Sequence, residues 1–176
     1  MKFTRTIKTA LSTAVVGLLA LGLTTTPAFA ANNANTTFVV SATVVTACIV
    51  TATPLSFGTV VPSTTTAVNA NSTISVNCSL GDGYTIALTA GTGTGELETA
   101  RFMTGTSHGG KLNYALSSTA WTGPGTGGTN WGTSSGTVSG TGTGSAAPYT
   151  VYGQVSEQTP PVNDAYTDTI TVNVTY

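Results

Sequence analysis

Cys48 and Cys78 are the two cysteines of this 176-residue chain, and a pair of thiols can hold part of a metal site or close a disulfide. A metal asks for more than they offer. Tetrahedral zinc needs four donors, and the single histidine, His108, lies in a Ser-His-Gly-Gly turn distant in sequence from both cysteines. Carboxylate chemistry has candidates in Asp82, Glu96 and Glu98, because general acid and base work needs two such groups converging on one bond. Glu96 and Glu98 follow Gly-Thr-Gly-Thr-Gly, however, a polar turn in which charges are expected to be solvated. No metal-spaced histidine pair accompanies His108. The glycines are turn formers, since no helical pattern follows them to make a phosphate cradle. The residues therefore point away from an enzyme, a metal and any cofactor, and leave the disulfide as the one piece of chemistry expected.

The expected compartment agrees with a disulfide. Lys2, Arg5 and Lys8 form a basic start, Ala10 to Leu23 an apolar stretch, and Ala28-Phe29-Ala30 a small-x-small cleavage pattern, which together read as a secretory signal over residues 1–30. Two cysteines in an exported chain pair by default, Cys48 with Cys78. Removing the signal leaves Arg101 and Lys111 against Asp82, Glu96, Glu98, Glu157, Asp164 and Asp168, a net charge of 2 − 6 = −4. Two cations give no footprint for nucleic acid or for an anionic lipid surface. Threonine, serine, asparagine and glycine must cover most of the exterior.

The elements that would position these residues are strands. Period-two alternation places Ile74, Val76 and Cys78 on one face of Thr73 to Cys78; Tyr84, Ile86 and Leu88 repeat it, as do Leu112, Tyr114 and Leu116. Tyr149, Val151, Gly153 and Val155 continue the pattern, and Ile170, Val172, Val174 and Tyr176 share a face of a last strand expected over Tyr166 to Tyr176. Such strands are half-buried and antiparallel, with a polar outer face. Fifteen of the 21 glycines fall between Gly91 and Gly144, and Ser117 to Ala147 is expected to form an elaborate loop or short edge strands, with Trp121 and Trp131 packing it onto the body. Strand number, short spacings and one bridge predict a single all-β sandwich domain.

The ends are unbalanced. Phe38, Val40, Ala42 and Val44 point one way on an amphipathic run ahead of Cys48, separated from it by Thr46 and Ala47, which lack the Gly or Asn that a tight hairpin favours. The apolar pattern at the other end runs to the final residue. One strand is in excess at the start and one is wanting at the end.

The stretches FVVSATVVTACIVTATPLSFGTV (38–60), ISVNCSLGDGYTIALTAG (74–91), RFM (101–103), LNYAL (112–116), WG (131–132), YTVYGQV (149–155) and AYTDTITVNVTY (165–176) resemble the spore coat U domain family, and within it the major pilins of Csu-type archaic chaperone–usher pili. The resemblance spans the mature chain in order, with a departure in the Gly-rich insert at 123–144. It implies an incomplete immunoglobulin-like β-sandwich lacking its last strand, over 46–176, completed by donor-strand complementation. Residues 31–45 would be the donor strand, with Phe38, Val40, Ala42 and Val44 entering the groove of the next copy. Ile170, Val172, Val174 and Tyr176 would form the strand bound by a periplasmic chaperone before passage through an outer-membrane usher. The implied product is a homopolymeric cell-surface fibre for attachment and biofilm formation.

Two other classes fit parts of the pattern. A small outer-membrane barrel would share the signal and the terminal alternation, but spanning strands need about 9 to 11 residues with aromatic girdles. A secreted carbohydrate-binding sandwich would use Trp121 and Trp131 as stacking platforms.

Overall fold

A computed structural model describes residues 33–61, 66–159 and 161–176. The proposed signal over 1–30 lies outside them. The chain divides after Ser41 into two units. In the described part of the first, residues 33–41 form no strand, and Phe38 and Val40 are 85% and 82% exposed.

The second unit contains nine strands among the described residues: β1 (Cys48–Ala52), β2 (Val68–Cys78), β3 (Gly83–Leu88), β4 (Arg101–Gly105), β5 (Lys111–Ser117), β6 (Val138–Thr141), β7 (Ala147–Val155), β8 (Tyr166–Thr167) and β9 (Val172–Thr175). They form two antiparallel sheets, ordered β1-β2-β7-β5-β4-β8 and β6-β3-β9. Alternation fixes which face is inside: Ile74, Val76 and Cys78 of β2, Ile86 and Leu88 of β3, and Leu112, Tyr114 and Leu116 of β5 form one buried cluster with Val151 and Val155 of β7. A one-residue slip would turn each of these sets out to water, so the pattern specifies the register. β2 and β7 are the longest partners, paired from Val68↔Val155 to Val76↔Ala147.

The expected last strand is in fact two. Tyr166 pairs with Gly105 in the large sheet, whereas Val172 to Thr175 pair with β3 in the small one. The chain crosses between sheets at Asp168, whose carboxylate accepts hydrogen bonds from the backbone N–H groups of Thr92 (3.0 Å) and Thr169 (2.7 Å) and from the Tyr114 hydroxyl (2.5 Å). Burial opposes ionisation of Asp168, but the hydrogen bonds from Tyr114, Thr92 and Thr169 outweigh it and lower its pKa. The alternation continues through this point because Asp168 and Ile170 keep their places while the strand changes sheets.

The Gly-rich segment contains β6 and two anchored tryptophans. Trp131 is buried; its backbone N–H donates to Leu116 O (3.1 Å) in the large sheet and its indole N–H to Ile86 O (3.1 Å) in the small one. Trp121 is half-buried and donates to Tyr152 O (3.2 Å). Both sit as packing residues.

Candidate functional site: a groove along the open side of the sandwich

β1 is an edge strand whose only ladder partner among the described residues is β2. Its inward positions Cys48, Val50 and Ala52 stand opposite Cys78, Val76 and Ile74, so they belong on the core side. Val50 and Ala52 are nevertheless exposed, while their partners are buried. The small sheet ends at β9, which pairs with β3 on one side and with no described strand on the other. A groove of about 1260 Å³ runs through this region. Its floor includes Ile74, Leu112, Leu116 and Val151 from the large sheet, with Leu88 and Val172 from the small one.

Two features shape the groove. Leu55 and Phe57, in the segment that follows β1, lean onto Gly153 of β7; a Cβ there would lie 2.8 Å from Leu55 Cδ1 and 3.0 Å from Phe57 Cζ. The missing side chain at Gly153 is what lets this segment lie against the sheet. On the opposite wall the crossover at Asp168 fixes where β8 ends and where Ile170 and Val172 enter the groove lining.

Arg101 anchors the adjoining corner. It is 1% exposed and its guanidinium donates to the carbonyl oxygens of Thr89 (2.8 Å), Trp131 (2.8 Å) and Glu98 (2.6 Å), with a longer contact to Leu88 O at 3.3 Å. Burial lowers its pKa, and the neighbouring negative charges of Glu98, Glu96 and Asp168 work in the other direction. Of the two cations counted in the mature chain, Arg101 is thus a buried one. A planar fork of donors can satisfy several carbonyls at once where the chain changes direction, a role that composition and alternation do not reveal.

The carboxylates expected to be solvated are also engaged. Glu96 accepts from the backbone N–H groups of Gly93 (2.7 Å) and Phe102 (2.9 Å), and Glu98 accepts from the Thr133 hydroxyl and from Ser134 Oγ (3.2 Å). The hydrogen bond from Thr133, the largest effect, keeps Glu98 below the usual carboxylate range. His108 lies 3.6 Å from Asp164, whose carboxylate accepts the N–H groups of Ser107 and His108 at 2.8 Å each. The pentapeptides 105–109 and 132–136 both spell Gly-x-Ser-x-Gly, a nucleophile-elbow pattern that requires a strand, a sharp turn and a helix. Neither is followed by a helix, and Ser107 and Ser134 give their backbone N–H groups to Asp164 and Glu98. These acids hold turns in place.

Of the residues singled out in the sequence, Cys48 and Cys78 are joined in a disulfide at the first register pair of the β1–β2 ladder. Ile170 and Val172 line the groove, and Val174 pairs with Ile86 on β3. Tyr176 is 60% exposed, since the ladder to β3 ends one residue earlier at Thr175↔Thr85. Ala42 and Val44 precede β1, form no strand and are exposed, Val44 to 92%.

The domain is an immunoglobulin-like β-sandwich with one long side open. The Spore Coat Protein U domain profile matches residues 34–173, and the chain belongs to that family. Among solved structures, the CsuC–CsuE chaperone–tip adhesion subunit pre-assembly complex from archaic chaperone–usher Csu pili of Acinetobacter baumannii is similar in fold, with a TM-score of 0.57 at 19% identity. The likeness covers 76% of this chain and 41% of that chain, so this protein spans less than half the length of that relative. Curated proteins give no sequence match.

Proposed function

We propose that this chain is a pilin, a subunit of surface fibres in which residues 38–44 of one copy occupy the groove of the next. The observation that carries the reading is the coexistence of a groove with an apolar floor and an exposed strand-like run with one apolar face. Phe38, Val40, Ala42 and Val44 would give side chains to the groove. The backbone of the same run would pair with the free edge of β9, as strand addition to a sheet edge does. An open groove of this kind is an aggregation hazard, so before assembly the same region, with Ile170, Val172, Val174 and Tyr176, would be held by a periplasmic chaperone. Delivery through an outer-membrane usher would follow, and the fibre would serve attachment and biofilm formation.

Family membership supports this reading, because the profile match begins at residue 34 and so takes in the segment ahead of β1. The fold likeness to a chain of a chaperone–tip adhesion subunit pre-assembly complex supports it too. Negative-stain imaging of cells with and without this protein, with antibody labelling, tests it. Thin labelled fibres should be present only in cells that make the protein. Their absence from producing cells would overturn the proposal.

A further inference from the structure

The disulfide lies at the place where a fibre would be pulled. In the assembly proposed above, on which this inference rests, tension enters each subunit through its own segment 38–44 and leaves through the groove strands that grip its neighbour. Along the chain, every route from Ala47 to β9 runs through residues 48 to 78. The first of these form β1, a five-residue edge strand whose side chains after Cys48 are all exposed. A strand held on one side, with little buried surface, has few interactions to resist extraction.

The bridge offers a route around it. Cys48 is the first residue of β1 and Cys78 the last of β2, and the sulfur–sulfur bond joins them directly across a sequence separation of 30. β2 is the opposite of an edge. It has 11 residues, is flanked on both sides by β1 and β7, and buries Ile74, Val76 and Cys78 in the core. The entry point is also tied beyond the sulfurs: Ser79 N–H donates to Ala47 O at 3.0 Å and Ala47 N–H donates to Ser79 Oγ at 3.0 Å.

We propose that the Cys48–Cys78 bridge is the tension-carrying link of the fibre, passing the pull from the N-terminal segment straight into β2 and keeping β1 and the 53–67 connection out of the line of force. No bond is made or broken in this role. The covalent link shortens the mechanical path, and the thirty residues it spans stay slack.

Force spectroscopy on single native fibres tests this. Fibres are stretched before and after treatment with a phosphine reductant, with alkylation and mass spectrometry counting two new thiols per subunit. Fibres of the Cys48→Ser, Cys78→Ser double variant provide an independent arm. At about 3.3–3.6 Å per extended residue, freeing the bridged segment of 30 residues should lengthen each subunit's unfolding step by about 100 Å and lower the force of the first yield. Equal step lengths in bridged and unbridged fibres would overturn the inference and leave the fibre reading intact. Failure of native cells to make any fibre from this chain is scored before pulling and defeats the assembly reading itself.

Discussion

Val50 and Val76 face each other across the β1–β2 ladder, yet Val76 is 1% exposed and Val50 is 39% exposed. The two share residue type, sheet and side. What differs is the strand: Val76 lies on β2, flanked by β1 and β7, whereas Val50 lies on the edge strand β1, whose last residue, Ala52, lines the groove. The contrast between two chemically identical neighbours therefore marks the open edge of the large sheet, next to the groove.

Aspartate substitutions at these two positions should separate folding from assembly. Val76→Asp buries a carboxylate without a partner, at a cost of several kcal/mol, about 3 or more, and the subunit should be lost to periplasmic proteolysis. Val50→Asp leaves its charge in water on the edge strand, two residues from the groove-lining Ala52, where a seated donor strand would crowd it, so the subunit should be recovered with its chaperone but should not enter fibres. Immunoblots of periplasmic and shed fractions compare the two. Equal loss of both subunits would argue that Val50 is already part of a closed core.

The bridge should be quantitative in the exported protein. Alkylation of denatured, unreduced protein should find no free thiol, because both cysteines are in the bond. Replacing both by serine should lower stability by about 3 to 4 kcal/mol on the chain-entropy argument for a loop of this length, read from urea midpoints.

Arg101 should tolerate no replacement cheaply. Arg101→Leu leaves the carbonyls of Thr89, Glu98 and Trp131 without their donor, at about 1 to 3 kcal/mol for each buried group left unsatisfied. Arg101→Lys should recover only part of this, since one ammonium cannot reproduce the fork. Thermal unfolding should rank wild type above lysine above leucine. A lysine variant as stable as wild type would contradict the clamp.

Asp168 gives a pH dependence with a definite sign. Its pKa in the fold is lowered, so it contributes stability that is fully present above the unfolded value of about 3.9 and lost as pH falls below that towards the folded value. Stability should be level through neutral and mildly acidic pH with respect to this group. Below about pH 4 it should decline, and Asp168→Asn should be less stable at pH 7 and show a shallower acid decline. Melting temperatures of both proteins from pH 7 to pH 2 check this.

Strand alternation made most of the core legible in the sequence. β2, β3, β5 and β7 alternate, with Ile74, Val76 and Cys78, Tyr84, Ile86 and Leu88, Leu112, Tyr114 and Leu116, and Val151 and Val155 buried on their inner faces, and one face of a sheet is all that burial has to specify. β4 was not legible in this way. Arg101 and Phe102 are both buried at adjacent positions, which breaks the alternation, and Arg101 is inside because carbonyls from distant loops meet it there. The split of the last strand was hidden for a related reason. Asp168 keeps the period intact, and what changes the sheet is a set of hydrogen bonds from Thr92 and Tyr114, remote in sequence. The groove answers to the strand expected to be wanting beside the C-terminal one, since β9 has no partner on its outer side among the described residues.

The account turns on whether Phe38, Val40, Ala42 and Val44 enter another copy. The most direct measurement is the heat-resistant ladder of fibre fragments on gels run without boiling, compared for wild type, Val40→Asp, Thr43→Asp and a chain lacking residues 31–45. Burial of Phe38, Val40 and Val44 at about 1.5 to 3 kcal/mol each should give wild type a long ladder. Thr43→Asp, on the opposite face of the run, should retain it, whereas Val40→Asp should abolish it. The truncated chain should yield none alone and should shorten the ladder when mixed with wild type. Full-length ladders from Val40→Asp, or from the truncated chain by itself, would contradict the account.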